Sequence, residues 1–112
     1  MNYISSISKF VRNSMSLRNS LITSHLIIIT VFMAIYYFIY SLDNTTFDRL
    51  SNRDKPMKFM DMLYFTCGVH TTLGMGDIYP TKKITEITVS LHVMMVFFVS
   101  LFGLNSAMFN KQ

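Results

Sequence analysis

The chain has no tryptophan and a single cysteine, Cys67, so no disulfide can close within it. Cys67 and the three histidines, His25, His70 and His92, stand at no spacing that suits a structural zinc site. Acid is scarce, and none occurs before Asp43. No paired carboxylates, nucleophile–base spacing or metal cluster points to an enzyme. The lone Gly74-Met75-Gly76 lacks the following helix and lysine of a nucleotide loop. The net charge of +4 is mild, and Lys and Arg are scattered rather than striped among aromatics, which argues against nucleic acid. No internal repeat is visible, and 112 residues bound the chain to one domain.

Charge is missing altogether from two long runs. Residues 21–42, LITSHLIIITVFMAIYYFIYSL, and 87–109, ITVSLHVMMVFFVSLFGLNSAMF, contain no Asp, Glu, Lys or Arg. At 1.5 Å per residue each reaches across a hydrocarbon core of about 30 Å. A soluble protein that buried both as core helices would need amphipathic elements to cover them, and few remain. Both are read as membrane spans. The first ends in Tyr36, Tyr37, Phe38 and Tyr40, as expected where a helix meets the headgroups.

The remaining segments are short. Residues 1–20 carry Lys9, Arg12 and Arg18, with Ile4, Ile7, Val11 and Met15 on one helical face. They read as a basic amphipathic helix lying in the membrane interface. An organelle presequence has similar composition, but no small-residue cleavage site follows. Residues 43–58 and 78–86 read as solvated loops; Asn44-Thr45-Thr46 is a glycosylation acceptor by pattern, discounted for lying so near the membrane. Residues 59–71 are apolar but too short to span, and fit a re-entrant helix. The next stretch, TTLGMGD at 71–77, is polar and flexible between apolar neighbours.

Irregular backbone at membrane depth is tolerated where it is buried in protein or lines water. An ion shedding its hydration shell needs replacement oxygens, and inward-facing backbone carbonyls supply them. Aiming successive carbonyls one way requires dihedrals that alternate into the left-handed region, which glycine enters freely. Gly74 and Gly76 are spaced for this, and Thr72 can add a hydroxyl oxygen. Leu73 and Met75 then support the strand from behind.

These residues resemble the potassium-channel selectivity filter, whose usual form is T-V-G-Y-G or T-V-G-F-G followed by Asp. The likeness extends through Met62-Leu63-Tyr64-Phe65, His70-Thr71-Thr72, Asp77-Ile78-Tyr79-Pro80 and His92-Val93-Met94-Met95-Val96-Phe97-Phe98. Together these are similar to the miniature potassium channels of chlorella viruses, without gaps from about residue 62 to 101. The resemblance implies an all-α membrane protein. Its parts are two transmembrane helices (21–42 and 87–109), a pore helix (59–71), a filter strand (72–77) and a C-terminal tail (110–112), with four copies around one pore.

It further implies K+ bound at Thr72, Leu73, Gly74 and Met75, with Gly76 completing the filter. Tyr64, His70, Thr71 and Asp77 are the expected supports, with Tyr64 a possible partner of Asp77. Met75 stands where many relatives have an aromatic that bonds to the pore helix; it is expected not to bond there and to leave a softer filter. A tetramer also follows from geometry, because two helices cannot enclose a water-filled path. No cofactor, nucleic acid or soluble partner is implied beyond the bilayer.

Counting Lys and Arg alone would place the central loop inside, since it carries six against three in residues 1–20 plus Lys111. The resemblance reverses this and puts both termini in the cytoplasm, in a host-cell membrane or the virion's inner membrane. Val96, Ser100, Gly103 and Ala107 share a small-residue face that lines an inner cavity or packs another helix. The histidines, one per apolar segment, read as packing residues, with His70 the first candidate if any senses pH. Lys82 and Lys83 are expected to snorkel to the interface, without a role in transport. Alternatives are a weakly selective cation channel and a non-selective viral permeabilising protein. The latter would need no glycine-bracketed strand.

Overall fold

A computed structural model describes residues 2–51 and 54–109. The order is α1 (Asn2–Leu42), β1 (Phe47–Arg49), α2 (Phe59–His70), β2 (Ile78–Pro80) and α3 (Lys83–Phe109). The expected tail 110–112 lies outside the described residues, as does the side chain of Ala107.

The expected division between an interfacial helix (1–20) and a span (21–42) is absent: α1 is one helix of 41 residues. Composition changes at residue 20, but no glycine or proline precedes Pro56, so nothing in the backbone stops the helix there. At 1.5 Å per residue α1 is about 60 Å long. It alone sets the longest dimension of a molecule measuring 67 × 22 × 22 Å. Its hydroxyls turn back onto the helix: Thr23 Oγ1 donates to Asn19 O at 2.8 Å and Thr30 Oγ1 to Leu26 O at 2.8 Å. A polar side chain satisfied this way can face lipid.

One face of α1, carrying Leu21, His25, Ile28, Phe32 and Tyr36, turns inward at helical spacing. It meets a face of α3 on which Thr85, Val89, His92, Val96, Val99 and Gly103 recur at alternating steps of four and three. That period keeps one stripe of α3 on its neighbour. Gly103 is the close-approach point, because a Cβ there would overlap the Leu21 side chain. The expected small-residue stripe therefore divides. Val96 and Gly103 turn toward α1, whereas Ser100 is exposed, its Oγ donating to Val96 O at 2.9 Å. Gly103 packs against α1 at Leu21.

The core lies at the loop end, where α2 wedges against both long helices: Ile28, Phe32, Tyr36, Phe47, Met57, Met62, Phe65 and Ile78. Tyr36, expected at the headgroups, is 0% exposed and packs edge-on against Phe65, ring centroids 5.2 Å apart. Tyr37 and Phe38 remain exposed. The two expected loops are also joined. β1 and β2 pair antiparallel, with Phe47 opposite Pro80, Asp48 opposite Tyr79 and Arg49 opposite Ile78. The fold is thus helical, with one small two-stranded sheet joining the loops. Phe47 and Ile78 supply the buried side chains that hold this sheet down.

The chain does not close on itself. Its radius of gyration is 18.8 Å, whereas a compact chain of this length has about 13 Å. Its 8346 Å² of accessible surface exceeds the ~6,300 Å² usual for its mass. Much of the excess is apolar: Ile84, Leu91, Phe97, Phe98 and Phe102 all stand exposed along α3. Both long helices are long and apolar enough to cross a membrane, and most of each is exposed rather than buried.

Candidate functional site

The site is built by the way α2 begins and ends. At its start Lys58 N donates to Asp61 Oδ2 at 2.8 Å, so the third-residue carboxylate caps the first turn. Arg49 of β1 clamps the same turn, reaching Asp61 at 3.4 Å and the carbonyls of Lys55 and Pro56 at 2.7 and 3.0 Å. At its end the chain folds back on the last turn. Thr71 N and Oγ1 both donate to Cys67 O, at 3.0 and 2.8 Å, and Thr72 N donates to Val69 O at 3.0 Å. Gly68 O then takes two amides, Leu73 N at 3.1 Å and Gly74 N at 3.4 Å.

Beyond that anchor the backbone alternates. Gly74 has φ +55° and Gly76 φ +75°, as the sequence led one to expect, and Thr72 joins them at φ +58°. A β-branched residue in the left-handed region is strained. Glycine rules cannot foresee it, but it extends the alternation to 72, 74 and 76. With the amides of residues 71–74 turned back onto α2, the carbonyls are left over. Among the described residues, those of Thr72, Leu73, Gly74, Met75 and Gly76 accept no hydrogen bond. Five consecutive unpaired acceptors are costly unless water or a cation meets them. The strand also starts at the C-terminus of α2, the negative end of the helix dipole.

The flanking residues hold this strand in ways the sequence only partly disclosed. Tyr64 is not the partner of Asp77. Its hydroxyl donates to Met75 Sδ at 2.7 Å, so the strand is tied to α2 after all, the helix supplying the hydroxyl and the strand a sulfur acceptor. The expectation that Met75 makes no such tie is corrected. Tyr64, Cys67, Gly68, Leu73, Met75 and Ile78 line a groove of about 250 Å³ between helix and strand. Asp77, at the end of this groove, is held from the loop: Ser51 Oγ donates to its Oδ1 at 3.3 Å, and its carbonyl accepts Leu50 N at 2.9 Å. Lys82 pairs with Asp43 at 2.8 Å and Lys83 with Glu86 at 3.2 Å.

The largest omission of the sequence reading concerns the histidines. They are not separate packing residues. His25 Nδ1 lies 3.0 Å from His70 Nε2, His70 Nδ1 lies 3.2 Å from His92 Nε2, and His92 Nδ1 lies 2.9 Å from the Tyr36 hydroxyl. The contacts form a line through α1, α2 and α3 rather than a convergent shell, and no metal-holding group of three exists among the described residues. Phe32 stacks on His92, centroids 4.2 Å apart and planes 6° from parallel. A signal was present: His25 and Tyr36 are eleven residues apart, about three helical turns, and so share a face of α1.

The chain matches the ion channel family (Ion_trans_2) over residues 24–111, which takes in the C-terminal part of α1 and all of α2, the strand and α3. It is 34% identical over 77 residues to the potassium channel protein kcv of Paramecium bursaria Chlorella virus 1. That alignment covers 69% of this chain and 81% of the viral protein. No solved structure matches.

Proposed function

The chain belongs to the ion channel family, and from that premise we propose that it is a virus-encoded potassium channel in which four copies surround one pore. Residues 72–76 of each copy contribute a row of carbonyl oxygens. K+ binds at Thr72, Leu73, Gly74 and Met75, where these oxygens take the place of its water. Conduction is passive, and no residue undergoes chemistry. The observation that supports this reading best is the run of five carbonyls without hydrogen-bond partners, set between left-handed residues at every second position.

Assembly follows from the same geometry. One copy presents its oxygens on one side only, and a dehydrated ion needs them all round. The exposed faces of α1 and α3 supply the apolar surface for lipid and for neighbouring copies. Both termini lie on the cytoplasmic side, with the filter opening outward through the loops at 43–58 and 78–86. The tie between Tyr64 and Met75 favours a firm filter over a weakly selective one, since it fixes a side chain that is otherwise flexible.

Purified protein reconstituted in a planar bilayer, with potassium on one side and sodium on the other, tests the proposal. The expected result is a current reversing near the potassium equilibrium potential and blocked by barium. Silence, or reversal near zero, would overturn it. Cross-linking in the same vesicles should give a ladder ending at four copies.

A further inference from the structure

The line of contacts from Tyr36 to His25 has a direction, and its buried end sets it. Tyr36 and His92 are 0% exposed and His70 is 8% exposed, whereas His25 is half-buried. Among the described residues the Tyr36 hydroxyl has one hydrogen-bond partner, His92 Nδ1. If it accepted from that nitrogen, its own proton would be buried without an acceptor. It therefore donates. A neutral imidazole has one N–H and one bare nitrogen, so His92 must carry its proton on Nε2. It passes that proton's bond to His70 Nδ1, which forces His70 also to protonate Nε2. His70 in turn donates to His25 Nδ1, leaving the Nε2 proton of His25 at the more open end. One hydroxyl thus fixes three tautomers in series.

His70 is the last residue of α2, and the turn it closes carries the carbonyl of Gly68. That carbonyl takes the amides of Leu73 and Gly74, which aim the first carbonyls of the strand. We propose that Tyr36 is a positioning residue for the ion-coordinating strand. Acting through His92 and His70, it sets the last turn of α2 and through Gly68 the direction of the strand's oxygens. This rests on the channel reading above. It differs from a packing role because the ring of Tyr36, against Phe47 and Phe65, supplies the packing, and only the hydroxyl supplies the direction.

Tyr36→Phe keeps the ring and removes the hydroxyl. In bi-ionic recordings the ratio of potassium to sodium permeability should fall about fivefold, the change that one ordinary hydrogen bond is worth, with the tetramer still recovered on native gels. In a His92→Leu background (or His92→Met, should leucine not assemble) Tyr36→Phe should change the ratio no further, because the series is already cut. An equal fall in both backgrounds, or no fall in either, overturns the proposal. A silent wild-type protein would instead overturn the channel reading. Nitrogen-15 spectra of histidine-labelled wild type in lipid test the tautomers without any variant. All three rings are expected to be protonated on Nε2, and an Nδ1-protonated His92 would sink the inference.

Discussion

Two stretches of irregular backbone join the helices of this protein, and they treat their polar groups in opposite ways. In the loop pair around the small sheet many of the described polar groups find protein partners. Thr46 O accepts Thr81 N at 3.0 Å and Thr85 Oγ1 at 3.1 Å, Tyr79 OH donates to Asp48 Oδ2 at 3.1 Å, and Thr81 Oγ1 reaches Thr45 O. In the strand at 72–76 the first amides are tied back and the carbonyls are not. Irregular chain with its groups paired is scaffold. Irregular chain with five acceptors left over is a surface prepared for something that supplies the missing charge.

The sharpest way to break that contrast is at Gly76. At φ +75° an alanine would cost about 1–2 kcal/mol per copy in backbone strain. Compounded over the copies, Gly76→Ala should reduce potassium current in vesicle flux assays at least about tenfold, by the same rule. Gly74→Ala should act likewise, since a Cβ there meets nothing within 4 Å and the cost is dihedral alone. Currents at the wild-type level in either variant would mean the alternation is not used.

Gly103→Leu should have the next largest effect, on assembly rather than selectivity. Overpacking the contact with Leu21 should cost about 1–3 kcal/mol, seen as a lower melting temperature in detergent with an unchanged permeability ratio in the channels that survive. Tyr64→Phe probes the tie to Met75. Open-channel noise should rise and the permeability ratio fall about two- to fivefold, the range for one lost neutral hydrogen bond. Met75→Phe is the complement: if neither variant alters noise or ratio, the tie does not stiffen the strand.

The smallest effect belongs to the paired loops. The Lys82 ammonium, then the Thr45 hydroxyl and amide, hold the Asp43 carboxyl well below the usual carboxylate range. A lowered folded value means the pair contributes above the ordinary pKa of about 4 and is lost as pH falls through the lowered one. Asp43→Asn should therefore lower the melting temperature slightly at pH 7 and lose that difference at strongly acidic pH. The site is exposed, so the shift should be small and should shrink with salt.

How much of the molecule was legible in its sequence depends on the range of the forces involved. The uncharged runs, the short helix α2 and the two glycines obey rules that act over a few residues, and they lie in the structure near their expected positions. The family match, found independently of those rules, agrees with the resemblance carried by residues 62–101. Features missed or misplaced depend on distant neighbours. The pairing of β1 with β2 joins segments about thirty residues apart. Tyr36 was assigned to the headgroups by composition, yet its placement depends on the pocket made by Phe65, Phe47 and His92. Thr72 contradicts its own residue type, and strain of this kind is held in place by surroundings that no local rule contains. The break placed at residue 20 was the opposite error, a change in chemistry taken for a change in backbone.

Because Thr46 takes bonds from both Thr81 and Thr85, the two long helices are fastened together at their loop ends. Toward the far ends Gly103 lets the helices approach closely at Leu21. A pair fastened like tongs has its give at the tips, so any widening between these helices would start beyond Gly103 and leave the loop end still.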